Sequence, residues 1–76
     1  MKKKLPRLSG KEVIKALSKL GFQPIRQKGS HVILLKEFDG GKISTVVPLH
    51  SEIDKGTLLE IIRQAGLNRD QFFELL

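Results

Sequence analysis

Apolar and polar positions follow one another along this chain in two rhythms, a helical one at each end and a strand-like one between them. After Ser9, the residues Val13, Ala16, Leu17 and Leu20 recur at the three-to-four-residue spacing of a helix with one buried face. Ser9-Gly-Lys-Glu12 has the form of a capping box, in which each end of the tetrapeptide accepts the other's free amide through its side chain. Gly21 follows as a stop. The pattern predicts an amphipathic helix of about three turns, with Lys11, Lys15 and Lys19 aligned in a stripe on its outer face.

The rhythm then shortens. Phe22 to Gln27 has strand character, and Pro24, which has no amide to give a ladder, predicts an edge position. Lys28-Gly29-Ser30 reads as a tight turn. His31 to Phe38 is the principal strand, and its Val32-Ile33-Leu34-Leu35 run makes both faces apolar. Such a strand is either central or covered by a partner on its second face. Asp39-Gly40-Gly41 marks a hairpin turn, and Lys42 to Pro48 is the returning strand.

A second helix is expected to begin between Asp54 and Thr57, to bury Leu58, Leu59, Ile62 and Ala65, and to end at Gly66. Leu67 supplies the apolar contact of a Schellman stop. Asn68-Arg-Asp-Gln71 repeats the capping-box form and opens a short terminal turn, with Phe72 and Phe73 expected in the core rather than as base-stacking platforms. The expected fold is α+β in the order α-β-β-β-α, with a three-stranded antiparallel sheet and helices on one face. Double-stranded-RNA-binding domains share that element order.

Length bounds this to a single domain over residues 1–76 with a thin core. Without cysteine, a disulfide-stapled scaffold and a thiolate zinc site are excluded. The basic start through Arg7 is not followed by an apolar stretch, and no run is long enough to span a bilayer, so a soluble cytoplasmic protein is expected.

Charge sharpens the picture. Residues 1–36 carry ten Lys or Arg against Glu12 alone, whereas residues 37–76 carry four basic residues against seven acids, for a net +6. Basicity confined to one half suits a polyanion, and nucleic acid is favoured over an anionic membrane because no strongly apolar, aromatic helix face accompanies the lysines. Lys2-Lys3-Lys4, Arg7 and the lysine stripe are expected to form one phosphate-binding strip.

Most catalytic chemistries lack their residues. There is no cysteine or tyrosine, the acids form no metal-site or paired-carboxylate motif, and Gly40-Gly41 has neither the lysine nor the spacing of a phosphate loop. Two histidines remain, in a basic surround. RNA brings its own nucleophile, the 2′-hydroxyl, and needs only a base, an acid for the departing 5′-oxygen, and positive charge on the phosphorane. His31 lies at the mouth of the central strand beside Arg26, Lys28 and Ser30, with Gly29 allowing a close backbone approach. His50 lies near Glu52 and Asp54 and reads as a surface residue leading into the second helix.

These residues resemble a known family, the HicA (YcfA-like) toxins of bacterial and archaeal toxin–antitoxin systems. The likeness runs from Ser9 to Phe73. Its pieces are Leu17-Ser-Lys-Leu-Gly-Phe22, Arg26-Gln-Lys-Gly-Ser-His31, Thr45-Val-Val-Pro48, Gly56-Thr-Leu58 and Ile62-Arg-Gln-Ala-Gly-Leu67. The resemblance implies a fold like a double-stranded-RNA-binding domain, ribonuclease activity on mRNA that stops translation, and a HicB-type antitoxin covering the active site. It implies His31 as the catalytic histidine, with Gly29 and Ser30 in the same turn. Many members carry a second histidine or an aromatic residue just after the first, where this chain has Val32 and Leu34. The second proton-transfer group is therefore open among Lys28, Ser30 and His50, or one histidine serves both steps.

The expected function is a metal- and cofactor-independent endoribonuclease with His31 as acid–base residue and with Arg7, Lys11, Lys15, Arg26, Lys28, Gly29 and Ser30 holding RNA. The alternative is a non-catalytic RNA-binding module, which needs the basic stripe and not His31. A partner docked on the second apolar face of the central strand would bury His31, and the free protein is expected to self-associate weakly through that face.

Overall fold

A computed structural model describes residues 5–76. Helix α1 spans Gly10–Ser18, strands β1, β2 and β3 span Gln23–Lys28, His31–Phe38 and Gly41–Pro48, and helices α2 and α3 span Lys55–Gln64 and Arg69–Phe73. The architecture is the expected α+β arrangement, with the element order of a double-stranded-RNA-binding domain and a short third helix where a terminal turn was expected. The tail Lys2-Lys3-Lys4 lies outside the described residues. Among the described residues, no helix is long and apolar enough to cross a membrane.

The elements begin and end for local reasons. Both capping boxes form: Ser9 with Glu12 at α1, and Asn68 with Gln71 at α3. At α2 the cap is Asp54, whose carboxylate accepts the Thr57 amide at 3.0 Å and the Thr57 hydroxyl at 2.7 Å. The Schellman stop forms at Gly66, with Leu67 N–H donating to the Ile62 carbonyl and Gly66 N–H to Arg63. The same pair of bonds closes α1, from Phe22 to Leu17 and from Gly21 to Ser18, and the buried Phe22 and Leu17 make the accompanying apolar contact.

The sheet order is β1-β2-β3, so the strand apolar on both faces is the central one. β1 is an edge strand, and its register shifts between Pro24 and Arg26. That bulge leaves Ile25 outside the ladder and exposed.

Strand alternation divides the sheet into two faces. Val32 and Leu34 pair with Val47 and Thr45, and all four are buried under the helices with Val13, Ala16 and Leu17 of α1 and Leu58, Ile61 and Ile62 of α2. The buried Thr45 hydroxyl is satisfied by the Gln64 side chain at 2.8 Å. On the other face, Ile33 and Leu35 are half-buried and Val46 is exposed, and no element of the described chain covers them. Two burial expectations need correction. In α2 the inward position belongs to Ile61, while Leu59 is half-buried. Phe72 is in the core but Phe73 is only half-buried.

Candidate functional site

The open face of the sheet gathers the residues of interest. In an antiparallel pair, residues directly opposite each other project to the same side. Lys28 is opposite His31, and His31 is in turn opposite Pro48; Arg26 is opposite Ile33, which shares the His31 face. Arg26, Lys28 and His31 therefore project together from one face, and all three are exposed.

The turn that delivers them is Gly29-Ser30. Two residues connect Lys28 to His31, and Gly29 takes φ +61°. A two-residue hairpin loop of this hand needs positive φ at its first position, and glycine alone adopts it without steric cost. Gln27 steadies the turn by donating from Nε2 to the Gly29 carbonyl at 3.1 Å.

A second histidine joins the first. The His31 and His50 ring centroids are 6.5 Å apart and the rings meet edge to face at 69°. The backbone explains why. Leu49 N–H donates to the Ser30 carbonyl at 2.6 Å, which ties the residue before His50 to the residue before His31. On its other side the His50 carbonyl accepts the Gly10 amide at 2.9 Å, and the Leu8 carbonyl accepts Ile53 N–H at 2.8 Å. Gly10 is buried there: a Cβ on it would overlap the Pro48 carbonyl oxygen and lie 2.9 Å from Leu49 Cα.

The acids that neighbour His50 in the sequence are engaged elsewhere. Glu52 pairs with Arg7 at 3.5 Å across exposed surface, and Asp54 is the α2 cap. The Thr57 hydroxyl and amide bonded to Asp54 hold its carboxyl below its ordinary pKa. In α2, hydrogen bonding from Arg63 likewise lowers the Glu60 carboxyl and raises the Arg63 guanidinium.

The other predicted RNA contacts divide between two locations. Arg7 and Lys11 flank the segment hydrogen-bonded to residues 50–53, so they stand at the His50 end of the molecule. Lys15 belongs to the helix layer, on the side of the sheet away from the open face. It lines a groove of about 250 Å³ with Ala16, Lys19 and Leu75, and this groove contains neither histidine. Lys19 is tied down there, donating from Nζ to the Leu75 carbonyl at 2.7 Å. Among the described residues, no group of three or more His, Cys, Asp or Glu is placed to hold a metal ion.

The sequence brings His31, Arg26 and Lys28 together through one turn and offers His50 both as a surface residue and as one of three candidates for the second proton transfer; the structure sets its ring beside that of His31. The signal for His50 was present in the hairpin. A turn that pairs Phe38 with Gly41 also pairs His31 with Pro48, two residues short of His50.

Fold and site together define a small α+β domain with His31, Lys28 and Arg26 on an uncovered sheet face and His50 beside His31. The chain belongs to the HicA toxins of bacterial toxin–antitoxin systems, whose family profile matches residues 10–67 and so takes in both histidines. A comparison with curated proteins gave no significant match.

Proposed function

We propose that this HicA toxin is a metal-independent endoribonuclease that cuts mRNA in the cytoplasm and so blocks translation, with residues 1–76 acting as one toxin domain. His31 moves protons between the 2′-hydroxyl, the scissile phosphate and the 5′-oxygen. Lys28 and Arg26 hold the phosphates on either side, and Gly29 and Ser30 leave room for the backbone. The 2′-oxygen attacks phosphorus, the bond to the 5′-oxygen breaks, and the products are a 2′,3′-cyclic phosphate and a 5′-hydroxyl. No metal or cofactor enters the step.

The observation that carries this reading is the exposure of His31 on the same sheet face as Lys28 and Arg26. An imidazole packed inside, away from cations, would have no access to a ribose-phosphate chain. The face continues from His31 into Ile33, Leu35 and Val46, which is the apolar character a protein partner covers. A HicB-type antitoxin seated there would bury the histidine and silence the enzyme.

The test is His31→Ala with an RNA substrate. General acid–base catalysis contributes about a hundredfold or more, so cleavage and growth arrest should be lost while RNA binding, which rests on phosphate contacts, stays close to the parent's. Cleavage by the parent should persist in EDTA, and a 2′-deoxy substitution at the cut site should block it. If His31→Ala cuts RNA as fast as the parent, the catalytic assignment is wrong. The structure then describes an RNA-binding module.

A further inference from the structure

We infer that His50 is the second proton-transfer residue of this site, so that the two histidines share the acid and base roles of RNA cleavage; the inference rests on the ribonuclease reading above. Transesterification of RNA requires two transfers. One group removes the proton of the 2′-hydroxyl while another delivers a proton to the 5′-oxygen as its bond to phosphorus breaks. The attacking and departing oxygens lie roughly in line through phosphorus. The base and the acid must therefore approach one phosphate from different sides.

His31 and His50 meet that requirement. Both are exposed, and they come from different segments, the start of β2 and the end of the β3 exit. Their ring centroids are 6.5 Å apart. A hydrogen bond spans roughly 2.7–3.2 Å, so nitrogens on two rings at that separation can address two oxygens of one phosphorus. The other two groups that could act lack this setting. Ser30 is a poor proton donor because an aliphatic hydroxyl holds its proton far more tightly than an imidazolium does, and Lys28 projects from β1 as a cation that holds phosphate. A pair of imidazoles, one neutral and one protonated, supplies both transfers and emerges with the proton moved from one ring to the other.

The fold also fixes His50 in place. Its segment is held at two points, by Leu49 N–H on the Ser30 carbonyl and by Gly10 N–H on the His50 carbonyl. The bare Gly10 lets α1 pack directly onto Pro48 and Leu49, where a side chain would collide with the Pro48 carbonyl oxygen. Nothing in the core uses the His50 ring, which is exposed and whose ring contact is with His31.

The experiment compares the parent, His31→Ala, His50→Ala and His50→Gln on one RNA oligonucleotide over a range of pH, with folding followed by circular dichroism and RNA affinity measured separately. The parent should give a bell-shaped pH–rate profile. Both His50 variants should fold, bind RNA like the parent, lose about a hundredfold in cleavage rate, and show a profile with one limb missing. A substrate whose 5′-oxygen is replaced by sulfur, a leaving group that needs no proton, then distinguishes the roles: it rescues the variant lacking the acid and not the one lacking the base. The inference is overturned if the His50 variants cut at the parent's rate, or if they cut slowly with both limbs intact, which is the mark of a structural role. Failure of the ribonuclease reading looks different, since the parent itself would then leave the RNA uncut.

Discussion

At the scale of single residues, position along a strand matters more than residue type. Lys28 and Lys36 are both lysines of the basic half, yet Lys28 faces His31 across the ladder. Lys36 lies on the helix face, with its ammonium 6.0 Å from the Phe22 ring centroid. Arg26, Lys28 and His31 could be placed together from sequence because one short turn joins them. The approach of His50 was harder to read, since it depends on a hydrogen bond from Leu49 to Ser30 between segments nineteen residues apart in the chain. Gly10 was hidden for a similar reason: in sequence it is an unremarked member of a capping box, and only the packing of α1 on Pro48 shows that its missing side chain is required. Gly10→Ala should therefore destabilise the protein by about 1–3 kcal/mol, the usual effect of forcing an atom into a packed site, although alanine is the better helix former. Thermal denaturation of the two proteins measures this. A variant as stable as the parent would mean that the segment carrying His50 shifts at no cost.

At the scale of elements, the caps and stops were legible because each is a local hydrogen-bond pattern encoded within four residues. Ser9-Gly-Lys-Glu12, Asn68-Arg-Asp-Gln71 and Gly66-Leu67 all formed as their chemistry requires. The inward face of α2 was less legible. Leu58-Leu59 and Ile61-Ile62 present adjacent apolar pairs, and a rotation of one residue exchanges Leu59 for Ile61. The observed phase is set by packing on the sheet, which buries Leu58, Ile61 and Ile62, while Asp54 as N-cap fixes where the helix begins. That cap carries a pH prediction. The Thr57 hydroxyl and amide lower the Asp54 pKa in the folded state, so the carboxylate favours folding. Its contribution is fully present above the unfolded-state value and is lost as the pH falls through the lower folded-state value. Asp54→Asn keeps a capping side chain and removes the charge. Urea denaturation should find the parent more stable than Asp54→Asn at neutral pH, with the difference closing below about pH 4. A gap that persists at pH 2 would assign the effect to something other than this carboxylate.

At the scale of the whole molecule, the sheet separates two cationic surfaces that the sequence had suggested were one. The apolar residues on both faces of β2 left open which side the helices cover, and only the packed structure fixes that side. Arg26 and Lys28 lie on the uncovered face with His31, while Lys15 and Lys19 line a groove in the helix layer beside the chain's last residues. On the proposed reading an RNA strand lies along the uncovered face, where it meets Arg26 and Lys28 and not Lys15 and Lys19, so the two sets of cations should differ in what they contribute. Each phosphate neutralised on single-stranded RNA adds roughly 0.7 to the slope of log affinity against log salt concentration. Replacing Arg26 and Lys28 with alanine should therefore weaken binding and flatten that slope by about 1.4. Replacing Lys15 and Lys19 should leave the slope near the parent's, although both changes remove two positive charges. Titration of a fluorescent RNA at several salt concentrations separates the cases. Equal flattening by the two double variants would mean that binding follows net charge alone. A larger effect from Lys15 and Lys19 would move the RNA path to the helix layer, away from the histidines, and the enzyme reading would lose its substrate route.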